Sequence, residues 1–248
     1  MAVMAKAPQP GRVKTRLTPP LTPAGATAMG AAFLRDITEN LRLAGAAAAI
    51  DPHVAYAPAG QEHLFDGLLA PGTRLVLADG APDGLGWAPP EVTGFGRCLL
   101  HAARALFAQG YGAVCLLNAD SPTLPTARLV EAAEALAAPG DRVVLGPAED
   151  GGYYLIGLRA PHAAVFADIA WSTERVAEQT RQRVRQSGLG LVELPAWYDV
   201  DEQAALVRLL EDIAAASGSP AAPYLAPATA ACAARLGLAD LLGRHAAG

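Results

Sequence analysis

The chain has 248 residues, of which 52% are hydrophobic and 17% are charged, and its formal net charge is −5. This length and composition supply a sizeable core and exclude global disorder. The acidic balance argues against nonspecific nucleic-acid binding, which needs a basic face. The apolar runs are shorter than the roughly 18 residues of a membrane span, and Met1–Met4 is too short for a signal peptide. We therefore expect a cytoplasmic protein without nucleic-acid or membrane partners.

The predicted elements alternate along the chain. Short apolar runs indicate strands and longer amphipathic stretches indicate helices. In chain order, strands are predicted over residues 2–5, 53–57, 73–78, 113–118, 142–146, 153–158 and 190–194. Helices are predicted over residues 23–43, 62–69, 95–109, 126–137, 173–187 and 201–215. This alternation predicts an α/β protein with a mostly parallel central sheet and helices on both faces.

The C-terminal part of the chain differs in composition from the rest. Residues 1–215 are predicted to form a single domain, and residues 216–248 an extension. Residues 216–227 are rich in Ala, Pro, Ser and Gly, which is typical of a linker. Residues 228–245 are predicted to form a further helix, on the surface or at an oligomer contact. The sequence leaves a homodimer open.

Several familiar signatures are missing from the sequence. It contains neither GxGxxG, GxxxxGK[ST] nor GxSxG, which argues against a dinucleotide fingerprint, a Walker loop and a nucleophile elbow. Cys98, Cys115 and Cys232 form no CxxC pair, so the sequence does not indicate zinc. Cys98 and Cys115 lie in apolar patterns, which is typical of buried free thiols in a reducing compartment.

The loop after the first strand concentrates positive charge. The chain has only two lysines, Lys6 and Lys14, and both lie in this loop with Arg12 and Arg16, around Gly11. Backbone amides and cations in such a loop suit a phosphate group. A solvated basic loop is the alternative. We expect a nucleotide to contact the following residues: Ala5, Lys6, Pro8, Gly11, Arg12, Lys14, Arg16 and Asn118.

Two acidic motifs follow predicted strands. Asp120 comes after a buried strand, at the edge where open parallel sheets bind ligands. Asp199 and Asp201 follow a late strand, and their spacing suits a hard cation such as Mg²⁺ or Mn²⁺. We predict all three as metal ligands. The alternatives are a turn or capping role for Asp120 and a helix N-cap at Asp201.

A third motif combines acids, glycines and aromatic residues. Glu149 and Asp150 precede Gly151-Gly152, a turn that lets the backbone approach a ligand closely. Tyr153 follows, and Trp171 is a candidate pocket wall. A hairpin turn with core tyrosines is the alternative. The four acceptor-binding residues predicted from this motif and its surroundings are Gly151, Gly152, Tyr153 and Trp171.

Together these motifs resemble a known bacterial family. The segments Lys6–Leu17, Asp120-Ser-Pro, Gly146–Leu158 and Asp199-Val-Asp201 resemble the radical-SAM/selenodomain-associated transferase 1 family over roughly residues 3–210. That family is grouped with GT-A-type glycosyltransferases and nucleotide-diphospho-sugar transferases. The basic segment is also similar to that of 2-phospholactate guanylyltransferase. The resemblance implies a Rossmann-like GT-A nucleotide-diphospho-sugar transferase fold, a nucleotide donor, a small-molecule acceptor and Mg²⁺ or Mn²⁺.

The chain departs from this family before the helix predicted at 95–109. The family has an acidic turn of the type Gly-Asp-Leu-Gly-Glu-Arg there, whereas this chain has Thr93-Gly-Phe-Gly-Arg-Cys98. Gly96 and Arg97 match the family, and both acids are missing. We expect Gly96 and Arg97 to contact the acceptor. The missing acids either leave the acceptor side unassigned or indicate a subfamily with a different acceptor.

Three functions fit these motifs. In nucleotidyl transfer from an NTP, Lys14 and Arg16 stabilise the leaving pyrophosphate, and Lys6 the attacking oxygen or the α-phosphate. In glycosyl transfer from a nucleotide-sugar, Asp120 holds the diphosphate through the metal, and Glu149 or Asp150 deprotonates the acceptor. The third is nucleotide binding without catalysis. Four basic residues around a glycine favour a triphosphate, and therefore nucleotidyl transfer.

Overall fold

The computed structural model describes residues 1–215 and 219–238. The strands of this part of the chain are β1 (Ala2–Lys6), β2 (His53–Ala57), β3 (Arg74–Leu77), β4 (Val114–Leu117), β5 (Arg142–Pro147), β6 (Tyr153–Leu158) and β7 (Gly190–Glu193). They form one sheet in the order β3-β2-β1-β4-β6-β5-β7. β6 runs antiparallel to β4 and β5, and the other neighbouring strands are parallel. The predicted α/β fold with a mostly parallel sheet is confirmed.

The six α-helices of the described residues are α1 (Pro23–Ala44), α2 (Phe95–Ala108), α3 (Thr126–Ala137), α4 (Val176–Gln186), α5 (Gln203–Ala215) and α6 (Pro227–Arg235). α1 begins where the sequence predicts it, because the Thr22 hydroxyl accepts a hydrogen bond from the Gly25 amide and Pro23 takes the first turn. The helix predicted over 62–69 is wrong in extent. A 3₁₀ helix covers only Glu62–Phe65, and Gly67 follows in a left-handed conformation (φ +72°) that ends it.

Side chains along the strands alternate between two apolar cores. On β1, Val3 packs in the core that contains Phe33 of α1, whereas Ala2 packs in the core that contains Leu100 of α2. α3, α5 and α6 share the face of α1, and α4 shares the face of α2. Burial on both faces explains why the strands are apolar throughout, as parallel sheets require. None of the described helices combines the length and apolar character that a membrane crossing needs.

α6 packs against α1 through a buried carboxylate. Asp36 of α1 is 1% exposed and accepts hydrogen bonds from the backbone amides of Ala228 (3.0 Å) and Thr229 (2.6 Å). It thereby caps the first turn of α6. Residues 216–218 of the predicted linker, and 239–245 of the predicted last helix, lie outside the described residues. The division of the chain at residue 215 stays a prediction.

Candidate active site

A pocket of about 430 Å³ opens at the carboxyl ends of β1, β2 and β4. Ligands of open α/β sheets bind at this edge. The structure brings most of the predicted nucleotide and metal residues together in the pocket lining, namely Ala5, Lys6, Pro8, Arg12, Lys14, Arg16, Asn118, Asp120 and Asp201. Gly11 lies in the same loop, outside the lining, in a left-handed conformation (φ +74°).

The basic loop is anchored to the core at its C-terminal end, and most of its charged side chains are exposed to solvent. Leu17 is fully buried and closes a 3₁₀ helix over Thr15–Leu17. The side chains of Lys6, Arg12 and Arg16 are exposed. Within the described part of the chain, Lys6 and Arg12 form no salt bridge. Their charges are therefore available to an anion that enters the pocket.

Lys14 differs from the other basic residues of the loop because its side chain is only 7% exposed. Its ammonium group lies 2.6 Å from Asp120 Oδ1 and 3.2 Å from Asp201 Oδ1, and it donates a 2.7 Å hydrogen bond to the Val200 carbonyl. Three oxygens thus surround a cation that lies between two of the three predicted metal residues, Asp120 and Asp201. This pairing had no signal in the sequence, because Lys14 and Asp201 are separated by 187 residues.

Hydrogen bonds between two loops bring the acidic motifs together. The Val200 amide donates to the Asp120 carbonyl (2.8 Å), and the Ser121 hydroxyl donates to the Tyr198 carbonyl (2.9 Å). Val200 is fully buried between Asp199 and Asp201. Burial raises the pKa of Asp199 to about 6, and the nearby carboxylates of Asp150, Asp201 and Asp120 add to this shift. Asp199 therefore lies close to the other acidic groups, although it is not part of the pocket lining.

These residues fit a divalent cation in the chemistry of their donor atoms. Carboxylate oxygens are the ligands that Mg²⁺ and Mn²⁺ prefer, and the Lys14 ammonium shows that a cation is accommodated between Asp120 and Asp201. Among residues 1–215 and 219–238, no three His, Cys, Asp or Glu side chains form a ready coordination group. Mg²⁺ needs only one or two carboxylates when substrate phosphates complete its shell. The three metal ligands stay a prediction.

Glu149 and Asp150 lie outside the pocket lining and have other partners. Both oxygens of Glu149 accept hydrogen bonds from the Arg208 guanidinium, at 2.6 and 3.1 Å. Asp150 Oδ1 accepts a hydrogen bond from the Gly152 amide (2.8 Å) in the turn between β5 and β6. The structure places Asp150 close enough to Asp199 to raise its pKa.

The predicted acceptor residues pack mainly against one another. A Cβ atom on Gly96 would lie 2.9 Å from Trp171 Cζ2, so the absence of a side chain lets the indole rest on the start of α2. The Tyr153 ring contacts Trp171 edge to face (6.5 Å between centroids), and its buried hydroxyl has no hydrogen-bond partner among the described residues. The Arg97 side chain donates to the Val92 carbonyl (3.0 Å). The acceptor role of this cluster stays a prediction.

Gly151 joins the turn to α4. A Cβ atom on Gly151 would overlap the backbone of Glu174, and the Gly151 carbonyl accepts a 2.9 Å hydrogen bond from the Ala177 amide in the first turn of α4. Its φ of +90° also requires glycine. Gly151 therefore has a structural reason to be glycine, apart from any contact with a ligand.

Part of the pocket wall is formed by residues that were not predicted from the sequence. Phe95 and Cys98 of α2 line the pocket, and Ala55, Ala57 and Ala78 leave space at the ends of β2 and β3. The alanines could have been found from the sequence, because the predicted strands β2 and β3 end at the same edge of the parallel sheet as β1, where ligands bind.

A family model with the description "Uncharacterized protein conserved in bacteria (DUF2064)" matches residues 40–173, more than half of the chain. The chain belongs to this family. The matched region includes Asp120 and the Glu149–Tyr153 motif, and it excludes the basic loop and Asp199-Val-Asp201. A search of curated proteins by sequence finds no match.

Solved structures share the fold of this family member. A Desulfovibrio desulfuricans G20 protein assigned to the nucleotide-diphospho-sugar transferases is 29% identical, with a TM-score of 0.75, and the match covers 98% of this chain and 96% of that one. A cytidylyltransferase from Leptospira borgpetersenii is 13% identical (TM-score 0.53, coverage 90% and 89%). A nucleotidyl transferase from Methanothermobacter thermautotrophicus is 18% identical (TM-score 0.50, coverage 84% and 94%). The predicted GT-A-like fold is confirmed, whereas the family named from the motifs stays a prediction.

Proposed function

We propose that this protein is a metal-dependent nucleotidyltransferase, which transfers a nucleoside monophosphate from an NTP to a small phosphorylated or phosphonate acceptor. The observation that carries the proposal is the pocket at the carboxyl edge of the sheet. Exposed Lys6, Arg12 and Arg16 line it beside Asp120 and Asp201. Lys6 and Arg12 form no salt bridge with any described residue, and Arg16 has only a 3.5 Å contact with Asp201. Exposed cations next to carboxylates suit a polyphosphate that binds with a divalent cation.

The reaction requires positioning and charge neutralisation more than covalent catalysis. An oxygen of the acceptor's phosphate or phosphonate forms a bond to the α-phosphorus. The bond from the α-phosphorus to the bridging oxygen breaks, and its electron pair leaves with pyrophosphate. Lys14 and Arg16 stabilise the pyrophosphate, and Lys6 orients the α-phosphate. Asp120, Asp199 and Asp201 would hold the divalent cation, which supplies further neutralisation of phosphate charge when bound.

The hydrogen bonds that Glu149 and Asp150 already form favour an acceptor that is anionic before it reacts. A hydroxyl acceptor needs a general base, whereas a phosphate or phosphonate oxygen attacks without losing a proton. Glu149 is held by Arg208, and Asp150 is hydrogen-bonded in its turn. Both lie outside the pocket lining, which favours nucleotidyl transfer over glycosyl transfer.

Glycosyl transfer from a nucleotide-sugar is the second candidate. It is favoured by the similarity to the Desulfovibrio desulfuricans protein, because the match extends over nearly the whole of both chains. The same basic loop and acids would then bind a nucleoside diphosphate group. The two candidates differ in their products, which are pyrophosphate for the first and a nucleoside diphosphate for the second.

A thermal-shift screen tests the proposal. All NTPs and common nucleotide-sugars are added with and without Mg²⁺ or Mn²⁺, because a ligand that binds the native state raises its stability. We expect a metal-dependent rise in Tm with one NTP, which names the base. A rise only with a nucleotide-sugar would favour glycosyl transfer. No rise with any of them would contradict both candidates.

A further inference from the structure

Lys14 has its polar contacts inside the acidic cluster. The ammonium group donates hydrogen bonds to the Val200 carbonyl (2.7 Å) and to Asp201 Oδ1 (3.2 Å), and it forms an ion pair with Asp120 Oδ1 at 2.6 Å. Its stem packs in a fixed position, because the ammonium lies 5.1 Å from the centre of the Phe33 ring and the side chain is 7% exposed. Lys14 is therefore a buried counter-ion of the two carboxylates, whereas Lys6 of the same loop is exposed.

The two carboxylates that Lys14 contacts, Asp120 and Asp201, are among those proposed to hold a divalent cation. Two cations within about 3 Å of the same carboxylate oxygens repel each other strongly, because Coulomb energy rises as distance falls. Arg16 adds a second positive charge, 3.5 Å from Asp201 Oδ2. Its interaction with Asp201 is weaker than that of Lys14, because the Arg16 side chain is 67% exposed to solvent. A metal ion that binds Asp120 Oδ1 and Asp201 Oδ1 must therefore displace the Lys14 ammonium.

We propose that Lys14 is an internal competitor of the divalent cation and closes the Asp120–Asp201 pair to free metal until anionic phosphates draw its ammonium group away. The release step rests on the proposed function, since it needs polyphosphate in the pocket. Lys6 and Arg12 would attract these phosphates to the loop that carries Lys14. Metal would then bind together with the nucleotide instead of before it, which prevents the acidic cluster from trapping a metal ion without substrate.

The test is a titration of the full chain with Mn²⁺ alone, followed by electron paramagnetic resonance. The variants are Lys14→Met and Lys14→Gln, two neutral side chains of which at least one should preserve the fold. Lys6→Met is the matched control, because it removes the same charge from the same loop without touching Asp120 or Asp201. We expect Lys14→Met or Lys14→Gln to bind Mn²⁺ at least about tenfold more tightly than the wild type, and Lys6→Met to match the wild type.

Equal Mn²⁺ affinity in the wild type and a folded Lys14 variant would overturn the proposal, and so would an equal gain in Lys6→Met. Wild-type crystals soaked in Mn²⁺ give a check without substitution. An anomalous peak between Asp120 and Asp201 with Lys14 still in contact with both would also overturn it. These measurements contain no nucleotide, so their outcome is separate from the nucleotide screen that tests the proposed function.

Discussion

Arg208 holds Glu149 through both carboxylate oxygens, at 2.6 and 3.1 Å, while its guanidinium stacks over the Tyr198 ring at 4.0 Å. The side chains of the pair are 43% and 48% exposed. Such surface pairs contribute only about 0–1 kcal/mol to stability. The geometry nevertheless matters for chemistry, because it directs the carboxylate towards α5 and away from the pocket of Lys6 and Asp120.

Glu149→Gln is expected to leave turnover within about threefold of the wild type, because a carboxylate bound to Arg208 is not placed as a general base. Removal of a true general base costs about 10²–10⁴-fold. The measurement is kcat for pyrophosphate release with the donor and acceptor that the screen identifies. Arg208→Gln is the control, since it breaks the same ion pair but keeps the carboxylate. A hundredfold loss in Glu149→Gln alone would identify Glu149 as a general base and contradict an acceptor that attacks without losing a proton.

Lys6→Ala is expected to weaken nucleotide binding by about 10- to 100-fold, because a hydrogen bond to a charged group contributes about 1.5–3 kcal/mol. Calorimetry with the best nucleotide measures the change in Kd. Arg128→Ala is the control. It removes a positive charge from α3, where Arg128 pairs with Glu131 instead of facing the pocket. Equal losses in the two variants would contradict phosphate binding at the basic loop.

Gly96→Ala is expected to lower the free energy of unfolding by about 1–3 kcal/mol, because the added methyl group overlaps Trp171 (2.9 Å) and approaches the Phe166 carbonyl (3.2 Å). Urea denaturation measures the loss. Gly112→Ala is the control: apart from Gly112 itself and its two chain neighbours, no described atom lies within 4 Å of the added Cβ, so a change within about 0.5 kcal/mol is expected. Similar stabilities in the two variants would mean that the contact between Gly96 and Trp171 is loose.

Much of the fold was predictable because its signals are local. Thr22-Pro23 marks the start of α1, and the apolar run around Leu116 marks a strand buried on both faces. The order of the strands was not predictable, since it depends on pairings such as Ala2 with both His53 and Leu116. Within the site, the residue types indicated a phosphate-binding role for Lys14 and a metal-binding role for Asp120, each without reference to the other. Their 2.6 Å contact depends on how three loops meet, for which the sequence has no periodic signal.

Asp36 connects stability to pH through the cap on α6. Burial raises its pKa above the ordinary value of 3.8, and the hydrogen bonds from Ala228 and Thr229 only partly offset this shift. The folded state therefore binds the proton more tightly than the unfolded state. Asp36 contributes most to stability below pH 3.8, and this contribution falls as pH rises through the folded-state pKa.

Asp36→Asn is therefore expected to become more stable relative to the wild type between about pH 3 and pH 7, because Asn carries no charge to desolvate. It keeps one acceptor oxygen for α6. Asp36→Ala, which loses both hydrogen bonds, is expected to cost about 1–3 kcal/mol at pH 3 and less at pH 7, because it also lacks the titrating carboxyl group. Urea denaturation of the three proteins at both pH values measures these differences. If the wild type instead gained stability over Asp36→Asn as pH rises, the ionised carboxylate would be the favoured form, and the hydrogen bonds to Ala228 and Thr229 would outweigh the desolvation of the charge.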